Sequence, residues 1–117
     1  MGELTLAEWE RKNEAASKKI QQLLRVLSKS KMLNVLYALG TKDGSLRFSE
    51  IKKSSSIDST TLTRRLAELE DIAMISRNEL STNPPAVEYQ LTGSFNTIKP
   101  ILEGLLHYGL EGENNEC

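Results

Sequence analysis

At 117 residues, with 38% apolar and 26% charged side chains, the chain fits one small globular domain with a modest core. No apolar run approaches the roughly 20 residues a bilayer requires and nothing near the start reads as a signal peptide, so the expectation is a cytoplasmic protein with no membrane partner. A net charge of −1 excludes a uniformly basic nucleic-acid binder, but residues 29–65 hold 8 basic and 3 acidic groups, against 5 and 4 in residues 1–28 and 2 and 9 in residues 66–117.

The first element is a helix over residues 1–28. Leu6, Trp9, Asn13, Ala16, Ile20, Leu23 and Leu27 recur by threes and fours, a heptad seam in which Asn13 occupies an a position, where a buried amide fixes register and strand number. The seam predicts a homodimer through this helix; the alternative is a stripe packed on its own domain. Residues 29–92 form the core of the domain. Ser28 or Ser30 caps a short apolar helix over Lys31 to Leu39, with Leu33, Val35 and Leu36 inside and Gly40 ending it. Thr41 to Leu46, with Lys42, Asp43 and Gly44, reads as a polar turn.

The stretch RFSEIKKSSSIDSTTLTRRLAELEDIAMISR, Arg47 to Arg77, reads as helix, turn, helix and strand. Phe48 and Ile51 anchor the first helix and leave Glu50, Lys52 and Lys53 outside. Asp58 is placed to cap the second, over about 59–72, whose first exposed side chains are then Ser59, Thr60 and Thr61. At about 100° per residue, Leu62, Leu66 and Leu69 fall on one stripe, and Thr60, Thr61, Arg64 and Glu68 lie opposite. Arg65 sits on the stripe's flank, where its stem packs and its guanidinium reaches either a phosphate or Glu68 one turn on. Ala73 stands after this helix, where a left-handed C-cap favours glycine.

Ile75 to Leu80 and Ala86 to Leu91 make a hairpin. In the second strand Val87, Tyr89 and Leu91 face one way and Glu88 and Gln90 the other, while Pro84 and Pro85 confine the loop to a tip with Ser81, Thr82 and Asn83. A hairpin after a presented helix is a wing. Thr92 caps the last helix, residues 93–109, whose Phe95, Ile98, Leu102, Leu105 and Leu106 form an apolar face that seeks a partner, and Pro100 bends its first turns. Residues 110–117 read as a flexible tail.

The succession RFSEIKK, LTRRLAELE, a strand containing Arg77, PPAVEYQLT and KPILEGLLHYG resembles the HxlR-type winged helix-turn-helix regulators of the MarR-like group, over about Ser28 to Gly109. The resemblance implies a homodimeric transcription regulator with its second helix in the major groove and its wing along the backbone or minor groove. The chain departs from the pattern at Met32 and Tyr108, where the family commonly has tryptophan, at Ala73 for a glycine, and at Ala86 for a basic residue. It also lacks the cysteine near the N-terminus that the family often carries for oxidant or electrophile sensing.

These readings give a mainly α fold with a small β-hairpin, a winged helix-turn-helix with extra N- and C-terminal dimerisation helices. Double-stranded DNA and a second copy of the chain are the expected partners. Base readout falls to Ser59, Thr60, Thr61 and Arg64, backbone contacts to Arg47, Lys52, Lys53, Arg65 and Arg77, and the wing tip to Ser81, Thr82 and Asn83. Dimerisation falls to Leu6, Trp9, Asn13, Ile20, Leu23, Leu27, Leu102, Leu105 and Leu106. No paired nucleophile and base, phosphate-cradling glycine loop or metal-ligand cluster suggests an enzyme or a cofactor. His107 reads as an ordinary helix residue and Cys117 as a tail thiol. No constellation identifies an effector. The alternative function is a winged helix retained as a protein-interaction or assembly module without specific DNA binding.

Overall fold

The computed structural model describes residues 5–41 and 44–114, with side chains to residue 111 in the last helix. Its elements run α1 (Leu6–Lys12), α2 (Glu14–Leu27), α3 (Met32–Gly40), β1 (Leu46–Arg47), α4 (Phe48–Ser55), α5 (Ser59–Asp71), β2 (Ile75–Leu80), β3 (Ala86–Leu91) and α6 (Gly93–Asn114). This is the winged helix expected, with two additions: a break in the N-terminal helix and a third strand.

The break falls at Asn13. Thr5 opens α1 by accepting the Glu8 N–H at 3.1 Å, and Asn13 closes it. Its backbone N–H reaches the Trp9 carbonyl at 2.9 Å, and its side-chain Nδ2 donates to the same oxygen at 2.7 Å. An asparagine whose amide binds the backbone of its own helix competes with helix propagation. The residue expected as a buried, register-fixing amide therefore spends its side chain locally, half-exposed, and the seam is interrupted.

Neither Ser28 nor Ser30 caps α3. The Ser28 hydroxyl donates back to Arg25 at 2.8 Å, and α3 is entered through Lys31 in the left-handed region, φ 66°, without a side-chain cap. The helix then buries Met32, Val35, Leu36, Ala38 and Leu39. Of the expected polar turn, Lys42 and Asp43 lie outside the described residues, while Leu46 at its end is buried and begins β1. That strand pairs antiparallel with β3, Leu46 opposite Tyr89 and Arg47 opposite Glu88, so the sheet has the order β1-β3-β2 rather than being a lone hairpin. A two-residue strand carries no alternation to read, and only its partner reveals it.

The core gathers Met32, Val35 and Leu36 of α3, Ile51 of α4, Leu62, Leu66 and Leu69 of α5, Met74 and Ile75 after it, and Phe95, Ile98 and Leu102 of α6. Leu102, expected at a dimer surface, is only 2% exposed and belongs to this core. The Tyr37 hydroxyl fastens α6 to α3 by donating to the Leu102 carbonyl at 3.1 Å. Thr92, expected to cap α6, instead donates its hydroxyl to the Ala73 carbonyl at 2.6 Å, tying the end of β3 to the end of α5. The last helix continues beyond residue 109 to Asn114, into the stretch read as a tail, and Cys117 lies outside the described residues. No helix among the described residues is long and apolar enough to cross a membrane.

Candidate nucleic-acid interface

The geometry of α5 begins at its caps. Asp58, extended at φ −66° and ψ 155°, accepts the Thr61 N–H on its Oδ2 at 2.9 Å. That bond, with a further one from the Thr61 side chain, holds the carboxyl below the usual carboxylate range. At the other end Ala73 has φ 61°. Its N–H bonds the Glu70 carbonyl and the Met74 N–H bonds the Leu69 carbonyl, both at 3.0 Å. This is the pair of bonds that defines a Schellman motif, with Met74 and Leu69 supplying its apolar contact. The left-handed alanine anticipated from sequence is therefore present.

Between these caps α5 buries Leu62, Arg65, Leu66 and Leu69. The buried arc is wider than the leucine stripe because Arg65 lies inside it, and the exposed face turns away from that flank. Ser59, Thr60 and Arg64 are exposed as expected, but Thr61 and Glu68 are half-buried. Thr63 and Ala67, which sequence reasoning passed over, are exposed beside Arg64. The helical wheel contains the signal: at 100° per residue they stand about 100° and 140° from Leu62, but only the burial of Arg65 shows which flank opens. The Thr63 hydroxyl donates to the Ser59 carbonyl at 2.8 Å, which fixes its rotamer on this face. Farther along, Glu70 and Asp71 are exposed. A polyanion would meet hydroxyls, Arg64 and the positive end of the helix dipole at the start of α5 and carboxylates at its end, so only the first half is suited to it.

The cations expected around this helix divide. Lys52 and Lys53 are exposed in the last turn of α4, where positive charge also suits the helix dipole. Arg47 is exposed at the start of α4, and its backbone N–H is bound by the Glu50 carboxylate at 2.9 Å. Arg77 is exposed on β2 and pairs with Glu79 at 3.2 Å; the hydrogen bonds to Glu79 and Tyr89 raise its pKa above the ordinary arginine value. Arg64 takes part in none of the ion pairs among the described residues. Arg65 is the correction. It is 8% exposed, donating from Nε to the Ser30 carbonyl at 2.7 Å and from Nη1 to Glu68 at 2.6 Å. Of its two readings from sequence the structure shows the ion pair, with the guanidinium drawn away from the exposed face of α5.

The wing tip places Ser81, Thr82 and Asn83 in solvent, with the Thr82 hydroxyl closing the turn onto the Pro84 carbonyl at 2.8 Å. On the two N-terminal helices Leu6, at 75% exposed, Trp9, at 44%, Ile20 and the unanticipated Leu24 are exposed. Leu23 and Leu27 are half-buried against the core. Leu105 and Leu106 are exposed on α6, as are Ile101, Tyr108 and Leu110. No group of histidine, cysteine, aspartate and glutamate among the described residues gathers to hold a metal ion.

Comparison with known proteins agrees with this architecture. The family model described as HxlR-like helix-turn-helix matches residues 26–116. An uncharacterised HTH-type transcriptional regulator of Halalkalibacterium halodurans is 40% identical over 82 residues, which span 69% of this chain and 72% of that protein. Another, from Methanothermobacter thermautotrophicus, is 45% identical over 69 residues, 58% of this chain and about half, 53%, of its own length. A crystal structure described as that of an HTH-type transcriptional regulator, ytcD, superposes with a TM-score of 0.74 at 30% identity, covering 82% of this chain and 97% of its own.

Proposed function

The chain belongs to the HxlR-like helix-turn-helix family, a family of transcriptional regulators and not of enzymes, and from that premise we propose that it acts as a homodimer that reads double-stranded DNA through the first half of α5. The observation that carries this reading is the composition of that half-helix: Ser59, Thr60, Thr63 and Arg64 are exposed together, Arg64 forms no ion pair among the described residues, and Lys52 and Lys53 stand exposed on the preceding helix. Arginine is the side chain best matched to the paired acceptors of guanine in the major groove, and hydroxyls bond several base edges. Lys52, Lys53 and Arg47 neutralise phosphates on either side, contributing affinity and register without sequence information. Ser81, Thr82 and Asn83 carry no charge, so the wing lies along the backbone through hydrogen bonds rather than by charge.

The dimer is supported by apolar area that a small domain does not leave in water: Leu6, Trp9, Ile20 and Leu24 on the N-terminal arm, and Ile101, Leu105, Leu106 and Leu110 on α6. Two-fold symmetry would present two copies of α5 about 34 to 36 Å apart, matching a pseudo-palindrome with half-sites one turn apart or somewhat more. The test is a titration against genomic DNA fragments over a salt series, with light scattering on the same sample. Saturable binding to a few fragments by a dimer is the expected result. A monomer mass at micromolar concentration, or equal affinity for all fragments, would return the exposed faces to the competing role of an assembly module.

A further inference from the structure

Arg65 is the only buried charged side chain among the described residues, and its partners are not confined to its own helix. Nε donates to the carbonyl of Ser30, in the turn that joins α2 to α3. Nη1 donates to Glu68, whose other oxygen lies 3.9 Å from the ammonium of Lys29, in the same turn. The turn itself is bent by Lys31 at φ 66°, so the direction in which α2 leaves the winged domain depends on a few backbone angles and on what holds them. Besides the packing of Leu23, Val26 and Leu27 on the core, two contacts from α5 hold them: a charge-assisted bond to a backbone oxygen, which allows little lateral play, and a carboxylate shared between Arg65 and Lys29.

We propose that Arg65, steadied by Glu68, is a positioning residue that sets the angle between the N-terminal arm and α5, and thereby the half-site spacing that the dimer accepts. This rests on the reading of the chain as a dimeric DNA-binding regulator. The arm carries one dimerising surface and α5 carries the reading face, so the angle between them becomes, through the two-fold axis, the separation and rotation of the two reading helices. Each added base pair moves a half-site by ~3.4 Å and turns it by about 35° around the duplex axis, an offset that a rigid pair of helices cannot follow. A pair free to pivot at the turn can.

The experiment uses the full chain and a panel of palindromic duplexes built from the half-site that the genomic titration yields, with the half-sites held at their native separation or moved apart by one or two base pairs. The variants are Arg65→Met, which fills the same space without donors, Arg65→Lys and Glu68→Gln, each checked for native circular dichroism. The wild type is expected to prefer one spacing. Arg65→Met should cut that preference by about five- to tenfold while the salt slope stays unchanged, and Arg65→Lys should restore part of it. Undiminished spacing preference in Arg65→Met would overturn the proposal in favour of a merely structural arginine. Weaker binding at every spacing with a salt slope reduced by about one would overturn it in favour of a phosphate contact. Should Arg65→Met fail to fold, Glu68→Gln decides, because it keeps the Ser30 bond but releases Lys29 and the carboxylate charge: a reduced preference supports the positioning role and a full one overturns it. A wild type that prefers no duplex would overturn the regulator reading itself, whereas a specific wild type beside an equally selective Arg65→Met overturns the positioning role alone.

Discussion

Two arginines adjacent in sequence have opposite fates. Arg64 and Arg65 differ by one step of 100° on α5, and that step carries the guanidinium from solvent to a buried site between Ser30 and Glu68. Arg64→Ala should cost about 1 to 3 kcal/mol on a specific duplex and relax the preference at one base pair per half-site, while binding to a scrambled duplex falls much less. Affinities on the two duplexes measure this, and an equal loss on both would assign Arg64 to the backbone. Lys52 and Lys53 should behave the other way: alanine at either is expected to weaken binding to all sequences alike and to reduce the slope of log affinity against log salt by about one. Unchanged slopes would remove them from the interface.

At the scale of the element, α5 is defined by its two ends. Ala73 holds φ 61° with a β-carbon that glycine would not carry. Ala73→Gly relieves a left-handed strain of about 1 to 2 kcal/mol, offset in part by the greater freedom of glycine in the unfolded chain, for a net gain of about 0.5 to 1 kcal/mol. A urea titration at fixed protein concentration reads it directly, and a loss of stability would mean that the methyl group packs. Asp58 gives a pH signature. Its folded pKa lies below the unfolded value through the Thr61 bonds, so its contribution is present in full above about pH 4 and is lost as pH falls through the folded pKa. Asp58→Ala should therefore be less stable than wild type at pH 7, with the gap closing on acidification, and Asp58→Asn should keep much of the cap while flattening the dependence. A gap that persists unchanged at pH 2 would mean that the carboxylate charge plays no part.

For the whole molecule, the winged domain and the arm differ in what holds them. Val26, Leu23 and Leu27 tie the end of α2 to the core, whereas Leu6, Trp9 and Ile20 are exposed. Deleting residues 1–19 should weaken the dimer in light scattering and leave the cooperative thermal transition of the winged domain in place. Loss of that transition would show that the arm belongs to the core instead. The helix α6 extends to Asn114, a turn that the polar composition of EGENNEC did not suggest, because a helix already nucleated by packed neighbours continues through residues too polar to start one.

Sequence alone determined the elements whose information is local: the caps and leucine stripe of α5, the alternation of β3, the left-handed position at Ala73 and the order of helix, turn, helix and wing. Each is written in residues within a turn or two of one another, where period, cap chemistry and backbone sterics act. What only the tertiary structure decided is everything set by a distant partner. Leu46 becomes a strand because β3 lies beside it, and Leu102 turns inward because it joins the core cluster, with its carbonyl bound by Tyr37 of α3. Asn13 ends a helix because its side-chain amide binds the Trp9 carbonyl of its own helix. Arg65 leaves the exposed face of α5 because a carbonyl 35 residues earlier in the chain offers it a bond that neither composition nor period could foretell.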